Sequence, residues 1–454
     1  MSKRSWKPRA YIIGSISTLI LFLTLLPTEH IVRAGGERGR SLVPPPWKHT
    51  LGLNRVRQRH LNIYAGYRKK FSSPGGIAAV KHGFNDKTGS GDDDELTVYG
   101  LNSGTGEIFY NTSMVSVGFF GRQDEGAGDL HGTVGVAADR EGNVFVTDGG
   151  GHRLIRLKNR ENRLRFVSAT ARLCGAPLRS PAGIAMEGGR VFVADSGNNR
   201  LIEMALDGTT CREIRSSVEL VEPFGVDVIL DDNWNFYGSR FIVVSDSLNQ
   251  RLLKLDMDGA VLGARRIGEI SGQEGSLDFV AIDYYSNVYV TDRRQGCIYK
   301  FDRYLRYLTR IGCGSGSDDD LVEPRGIAIY RRFGQVFVSE AIGASYFWVG
   351  TDVENLRCTY AVSEKQLLLD ARFVLTEQSS VSVHLISEDG SIVKTLSDQT
   401  FVPPGYVHET YTVRSDELPC PLANCTLRLA VEARATYSSR KYHSVRRETP
   451  LRHL

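Results

Sequence analysis

Carboxylates recur in this 454-residue chain, each at the end of a short run rich in β-branched and aromatic residues. They are Asp148, Asp195, Asp246, Asp292 and, in a fifth copy, Glu340. Arginine stands five positions after three of them, at Arg153, Arg200 and Arg251. A carboxylate so placed can accept hydrogen bonds from the following turn, and the arginine adds a charge-assisted bond. Because the pattern returns from copy to copy, it predicts a structural role rather than a catalytic one.

Function is expected where the copies differ from one another. Eight residues that lead into the first strand of a copy differ in type: His131, Arg179, Glu222, Phe224, Asp278, Phe279, Glu323 and Arg325. If they meet at one end of the fold, this mixture suits a polar ligand with an apolar portion. Packing or solvation also explains any single one of them. We predict a binding site here and assign no catalytic residue.

Motifs for enzyme chemistry are sparse. Besides His60 at their edge, the copies contain three histidines, His82, His131 and His152, whose positions do not favour convergence on a metal. The sequence has no Gly-x-Ser-x-Gly, His-Glu-x-x-His or Cys-x-x-Cys motif. We predict no cofactor. An acid-only site for calcium or another divalent ion stays open, and it supports the alternative of an enzyme.

The element that positions these residues is a repeat, seen most clearly in Ser180 to Gly208. That stretch predicts three short strands separated by Gly-Gly and Ser-Gly-Asn-Asn turns. Further copies begin at Gly132, Glu222, Asp278 and Glu323, and a divergent first copy begins at Ser73. Six units spaced by roughly 40 to 60 residues indicate a repeat architecture.

The motifs P-x-G-[IV]-A, V-[FY]-V-[AST]-D and N-x-R-[LI] occur in register, the last at Asn198–Leu201 and Asn249–Leu252. In these motifs the chain resembles the NHL-repeat family of β-propellers from about residue 58 to 350. The resemblance implies an all-β fold with six four-stranded blades around a channel. It also implies the alternative function, a metal-dependent lyase or lactonase with its site in the channel. The last copy supplies only three strands, so we predict that Asn62 to Arg68 pairs with it and closes the ring.

The net charge of +4 conceals a division of the chain. Between residues 71 and 439 there are 37 basic and 49 acidic residues, because the ends of the chain are strongly basic. An acidic body disfavours a groove for nucleic acid, so no nucleic acid partner is expected.

Residues 10–27 contain no charged side chain and follow a basic start. Eighteen such residues just span a bilayer, and the preceding Lys and Arg predict a cytoplasmic amino terminus. A cleaved signal peptide is the competing interpretation, with Val32-Arg33-Ala34 as a cleavage region. Both predict an extracytoplasmic body, either single-pass and membrane-bound or secreted.

Seven cysteines in an exported chain favour disulfides. Cys297 and Cys313 flank a predicted hairpin, and Cys420 and Cys425 bracket a short loop. A pair between Cys174 and Cys211 is a weaker prediction, and reduced thiols remain open for every pair, because spacing alone does not fix connectivity.

After Gly350 the repeats stop, and alternating apolar and polar runs predict a small antiparallel sandwich. The stretch from Phe373 to Val413 resembles the Ig-like domain of flagellar hook-capping proteins. That resemblance implies a spacer or docking module. Residues 440–454 are basic and are predicted to be disordered.

We divide the chain into a cytoplasmic basic segment (1–9), a transmembrane signal-anchor or signal peptide (10–27), a linker (28–57), the propeller (58–352), an Ig-like sandwich (355–437) and a basic tail (438–454). The predicted function is that of a membrane-tethered, extracytoplasmic binding or scaffold protein. Its propeller face would dock a protein, peptide or glycan, and the amino-terminal helix would contact the membrane.

Overall fold

The computed structural model describes residues 41–46, 50, 54–86, 96–113, 116–121, 130, 132–230, 234–313, 320–363, 365–419 and 426–454. The predicted membrane segment, residues 10–27, lies outside these ranges. No helix in the described ranges is long and apolar enough to cross a membrane.

Six antiparallel sheets form the blades of a propeller, which confirms the predicted architecture. Blade 1 has the strands Pro74–Lys81, Leu96–Asn102, Glu107–Ser113 and Ser116–Gly121, and blade 2 has Thr133–Ala138, Asn143–Asp148, Arg153–Arg160 and Arg163–Thr170. Blade 3 has Pro181–Glu187, Arg190–Asp195, Arg200–Ala205 and Cys211–Ile214, and blade 4 has Pro223–Ile229, Phe241–Asp246, Arg251–Leu255 and Val261–Arg266. Blade 5 has Leu277–Ile282, Val288–Asp292, Cys297–Phe301 and Tyr307–Ile311, and the repeat of blade 6 supplies Ile327–Tyr330, Gln335–Glu340 and Gly343–Val349.

The fourth strand of blade 6 comes from the amino-terminal side of the chain, but not from the residues that the sequence indicated. Two short strands, Leu42–Val43 and Arg55–Arg57, pair antiparallel with Gly343–Val349. Both lie in the segment interpreted as a linker. The predicted closing strand at Asn62 to Arg68 is wrong, because the chain forms the helix Gln58–Ala65 there and then turns. Only Leu61 of that helix is buried.

The blades are joined by hydroxyl groups on the second strands. Ser245 Oγ accepts the Gly225 N–H at 2.7 Å within blade 4 and donates to the Asp278 carbonyl of blade 5 at 2.6 Å. Thr291 makes the corresponding bond from blade 5 to the Arg325 carbonyl of blade 6 at 2.6 Å. Thr147 and Ser339 bridge their own neighbouring blades in the same way. A buried carbonyl without a donor costs on the order of 1–3 kcal/mol. Moving two blades apart would break these bonds and incur that cost, so the bonds fix the spacing of the blades.

The recurring carboxylates have the predicted structural role. Asp148, Asp195 and Asp246 each accept from the arginine five residues later, at 2.7, 2.8 and 2.7 Å. The arginine that pairs with Glu340 comes instead from the strand Arg55–Arg57, where Arg57 Nη2 lies 3.1 Å from Glu340 Oε1. Asp292 of blade 5 has Cys297 opposite it in place of an arginine, and its Oδ2 is buried without a hydrogen-bond partner among the described residues.

Two disulfides are present among the described cysteines, Cys174–Cys211 and Cys297–Cys313. Cys358 is a buried free thiol. The predicted pair Cys420 and Cys425 lies outside the described residues.

The carboxy-terminal part forms one nearly closed seven-stranded sheet, and an Ig-like arrangement is not evident. In spatial order its strands are Ile392–Val402, Ser379–Ser387, Leu427–Ala435, Val445–His453, Val353–Ser363, Gln366–Leu375 and Gly405–Arg414. The sheet curls around a single core that includes Leu369, Phe373, Leu385 and Val431. The basic tail is therefore not disordered. Its strand Val445–His453 lies in the middle of the sheet, parallel to Val353–Ser363 and antiparallel to Leu427–Ala435.

The sheet meets blade 5 through buried charges. Lys300 Nζ lies 2.6 Å from Glu377 Oε2, and both side chains have no exposed surface. Asn287 Nδ2 donates to both Asp283 and Glu377 at 3.0 Å. Burial and the neighbouring Asp283 raise the pKa of Glu377 to about 8, although Lys300 opposes the shift. At the junction of the two domains the Lys300 ammonium thus contacts Glu377 directly, and Asn287 connects Glu377 to Asp283.

Candidate binding site at the mouth of the propeller channel

Four of the eight predicted site residues meet at the end of the channel where the innermost strands begin. The rings of Phe224 and Phe279 are in edge-to-face contact, with centroids 5.3 Å apart. Asp278 and Arg325 lie beside them on blades 5 and 6. We call Phe224, Asp278, Phe279 and Arg325 the mouth site.

The innermost strands bring these side chains together because of a glycine that the repeat requires. A Cβ at Gly183 would lie 2.3 Å from the Phe224 carbonyl oxygen of the next blade, and one at Gly225 would lie 2.4 Å from that of Asp278. Adjacent blades therefore approach backbone to backbone at this level. Blade 5 has Phe279 at the equivalent position, so its ring occupies space at the channel that the other blades leave empty.

Asp278 is a buried carboxylate with only partial charge compensation. Burial raises its pKa to about 6, while the guanidinium groups of Arg293 and Arg325 act in the opposite direction. The Arg293 Nε atom lies 3.4 Å from Asp278 Oδ2. This carboxylate consequently changes protonation near neutral pH, where a ligand that donates a hydrogen bond would favour the charged form.

Arg325 is the least satisfied group of the mouth site. Its Nη1 donates to the Pro74 carbonyl at 3.2 Å, and its Nη2 lies 3.5 Å from Glu323 Oε2. Its Nε is buried and has no hydrogen-bond partner within the described chain. An unpaired buried donor is costly, on the order of 1–3 kcal/mol, so a ligand oxygen that reached Nε after a turn of the Arg325 side chain would recover that energy.

The remaining predicted residues lie around the mouth site or outside the described residues. Glu222 and Glu323 are exposed, with φ of +47° and +46°. Glu222 precedes Pro223, which starts the inner strand of blade 4, and Glu323 precedes Pro324, three residues before the inner strand of blade 6. Arg179 is exposed on the corresponding loop of blade 3, where its backbone N–H donates to Asp195. His131 lies outside the described residues.

The channel below the mouth contains charged residues that the sequence analysis missed. A cavity of about 230 Å³ is lined by all six innermost strands. The same position of these strands is alanine in five blades, at Ala78, Ala137, Ala185, Ala281 and Ala328, and Asp227 in blade 4. Asp227 accepts from the backbone N–H groups of Val228 and Ile282, and burial raises its pKa. Comparing the residue after each P-x-G-[IV] motif would have revealed this exception.

Arg331 closes the far end of the cavity with several bonds. Its guanidinium lies 3.0 Å from Glu187 Oε2 and 3.7 Å from Asp227 Oδ2, and it donates to the carbonyls of Ile282 and Val228. The single arginine links blades 3, 4 and 5 from its position on blade 6. This arrangement gives the channel one open mouth lined by Phe279 and one end occupied by ion pairs.

The histidines within the described blades have structural contacts. His82 is buried with Nε2 2.7 Å from the Tyr99 hydroxyl, and burial lowers its pKa to about 4. His152 Nδ1 accepts the Ser180 N–H at 2.9 Å in a turn. Across the described residues, no three His, Cys, Asp or Glu side chains are grouped so that they could hold a metal ion.

A family model matches one copy of the repeat. Residues 178–202 match the NHL repeat. The match contains the first strand, the second strand and Asp195 of blade 3, so the NHL motif and the blade coincide. The other blades follow the same strand pattern. Among curated proteins, no sequence matches the chain.

Solved structures with a similar chain path include virginiamycin B lyase from Staphylococcus aureus, at 11% identity and a TM-score of 0.41, covering 56% of this chain and 76% of that one. Regucalcin from Agrobacterium tumefaciens, described as a calcium-binding protein, has 12% identity and a TM-score of 0.41, with 62% and 90% covered. A nidogen/laminin complex gives 17% identity and a TM-score of 0.39, with 53% and 80% covered. With TM-scores this low, neither ligand nor activity of this chain follows from these similarities.

Proposed function

We propose that the NHL propeller is a binding module whose mouth site docks a protein, peptide or glycan partner. The observation that supports this most directly is the buried Nε–H of Arg325, which has no acceptor within the described chain, near the half-buried rings of Phe224 and Phe279. A hydrogen-bond donor beside an apolar surface suits a ligand in which a polar group is attached to an apolar group.

The chemistry of the partner follows from the three kinds of group at the mouth. Arg325 would take a carbonyl or carboxylate oxygen, and Asp278 would take a hydroxyl or amine donor. Phe224 and Phe279 offer a surface for an aliphatic side chain or for the apolar face of a sugar ring. A peptide and a glycan both present such a combination.

We further propose that the module works outside the cytoplasm, tethered by residues 10–27. The two disulfides support this location, because disulfides persist in oxidising compartments and are rare in the cytosol. The acidic body between residues 71 and 439 supports a partner other than nucleic acid.

The alternative, a metal-dependent lyase or lactonase acting in the channel, has no comparable support in the described residues. The acids that line the channel, Glu187 and Asp227, already contact Arg331. A divalent ion would have to displace these ion pairs.

Panning of a displayed peptide library and a glycan array against the full chain tests the proposal. Each hit is then measured on Phe224→Ala/Arg325→Ala and on a matched control pair from the carboxy-terminal sheet, Phe401→Ala/Arg434→Ala. We expect ligands that require the mouth pair and tolerate the control pair. Ligands that bind all three proteins equally would contradict the proposed site. Stoichiometric calcium or another divalent ion in the purified protein would favour the enzyme instead.

A further inference from the structure

The outer hairpin of blade 2 carries five cations on one face. The strands Arg153–Arg160 and Arg163–Thr170 alternate so that Leu157 and Leu164 pack towards blade 1. The opposite face carries Leu154, which packs with side chains of blade 3, and, further out, five basic side chains. These are Arg156, Lys158, Arg160, Arg163 and Arg165, which we call the basic face.

The register of the hairpin places like charges directly opposite each other. Arg163 pairs with Arg160, and Arg165 pairs with Lys158. The turn residues Glu161 and Asn162 both have positive φ, +51° and +65°, which fixes this register. Like charges in opposed positions of a sheet destabilise the pair. The sequence therefore accepts a cost in stability to keep these cations together.

Little within the described chain compensates that charge. None of the five cations forms an ion pair there, and Asn143 Oδ1 alone accepts from both Arg156 Nη2 at 3.3 Å and Lys158 Nζ at 3.2 Å. The outermost three, Arg160, Arg163 and Arg165, are exposed. The basic face borders a concave space of about 1020 Å³ in which Glu161 is the single carboxylate among the described lining residues.

We propose that the basic face binds a linear polymer that carries sulfate or phosphate groups. Four of its five cations are arginines, whose planar guanidinium groups bind tetrahedral oxyanions with two parallel hydrogen bonds. Alternate residues of one strand are about 6.6 Å apart, and the neighbouring strand lies about 4.8 Å away, so the cations form two short rows. A flexible polyanion can follow two such rows, whereas a single small anion would contact only one or two of the groups.

Nucleic acid is the less suitable polyanion, because the basic face lacks exposed aromatic side chains for base stacking. Phe145 lies beneath the Arg156 guanidinium but is buried, and Phe166, which borders the concave space, stands opposite Leu157 and packs towards blade 1. The inference is independent of the mouth site, which lies at the channel and uses other residues.

Fluorescence anisotropy of labelled heparin and of labelled inorganic polyphosphate with the full chain tests this proposal. The variant Arg160→Ser/Arg163→Ser/Arg165→Ser removes the exposed cations. The control Arg372→Ser/Arg414→Ser/Arg434→Ser removes the same charge from the carboxy-terminal sheet, where each arginine already contacts an acid. We expect the first variant to lose about tenfold or more in affinity at about 150 mM salt, and the control to change by about twofold or less.

The two probes distinguish the source of the oxyanion. Binding of heparin alone assigns a sulfated polysaccharide, and binding of polyphosphate alone assigns a phosphate polymer. Equal loss in both variants, binding to neither probe, or equally tight binding of polyglutamate or single-stranded DNA would overturn the proposal. Arg163→Glu serves as a second variant, because it places an acid opposite Arg160 in an exposed position and should fold, and it should also weaken binding.

Discussion

The Phe279 ring meets the Phe224 ring edge to face at a centroid distance of 5.3 Å, across the boundary between blades 5 and 4. Phe279 occupies the position at which blades 1, 2, 3, 4 and 6 have Gly76, Gly135, Gly183, Gly225 and Gly326. The contact therefore depends on the one blade in which a phenylalanine replaces this glycine. This departure makes one side of the channel mouth apolar and places Asp278 and Arg325 at its border.

Gly225, on the innermost strand of blade 4, should tolerate no side chain. In Gly225→Ala the new Cβ would lie 2.4 Å from the Asp278 carbonyl oxygen, so two blades must move apart. We expect a loss of about 1–3 kcal/mol in the free energy of unfolding, measured by denaturant titration. Gly100→Ala is the matched control, because nothing lies within 4 Å of its Cβ and its φ is not positive. Equal stability of the two variants would contradict the close approach of the blades.

The buried ammonium at the domain junction should be essential for stability. Above about pH 8, where Glu377 is charged, Lys300→Met leaves this carboxylate without its cation, and breaking a buried ion pair costs about 3–5 kcal/mol. The exposed Lys441→Met serves as the control and should change the unfolding free energy by less than about 0.5 kcal/mol. A Lys300→Met protein as stable as the control would show that the junction does not depend on this pair.

The same junction predicts a pH dependence of stability. Glu377 titrates at a pKa of about 8 in the folded protein and near the ordinary 4.5 when unfolded. Between these values the folded state holds a proton that the unfolded state has lost, so the contribution is complete below pH 4.5 and is lost as the pH rises through 8. Unfolding free energies measured from pH 5 to 8 should fall more steeply for the wild type than for Glu377→Gln. Parallel curves would contradict the raised pKa.

Closure of the ring should depend on Arg57. Its guanidinium reaches Glu340, which is fully buried and also accepts the Val322 N–H at 2.8 Å. Arg57→Ala should speed amide hydrogen exchange in Gly343–Val349, above all at Tyr346, whose N–H donates to the Asn54 carbonyl at 2.8 Å. Arg59→Ala, an exposed neighbour, is the control. Unchanged exchange at Tyr346 would exclude a role of this ion pair in closure.

The sequence predicted those features that repeat and missed those that depend on a single copy. Six blades and the pairs of Asp148, Asp195 and Asp246 with arginine follow from a pattern present several times. The closing strand at Arg55–Arg57 could not be recognised, because three residues carry no periodicity, and the neighbouring Asn62 to Arg68 has comparable strand-forming residues. The strand Val445–His453 was missed because its basic side chains conceal the alternation of apolar and polar residues. The strand is stabilised by pairing with a neighbouring strand on each side, which the local sequence does not show.

The candidate site was likewise predicted in part and missed in part. Phe224, Asp278, Phe279 and Arg325 were identified because the copies differ at two adjacent positions of the repeat. The unpaired Nε of Arg325 depends on the distances between three blades, which no local pattern reports. Asp227 was overlooked because it was not compared with the five alanines at its level, and its partner Arg331 lies on another blade.

The most direct test of the proposed function is calorimetric titration of a selected peptide or glycan into the wild type, Phe224→Ala/Arg325→Ala and Phe401→Ala/Arg434→Ala. We expect the double substitution Phe224→Ala/Arg325→Ala to lower the affinity by about tenfold or more, because each central contact of an interface contributes about 1–2 kcal/mol. The control pair should leave the affinity unchanged, and circular dichroism should show that all three proteins are folded. Equal affinity of the ligand for the wild type and the mouth variant would contradict the claim that the propeller binds its partner at Phe224 and Arg325.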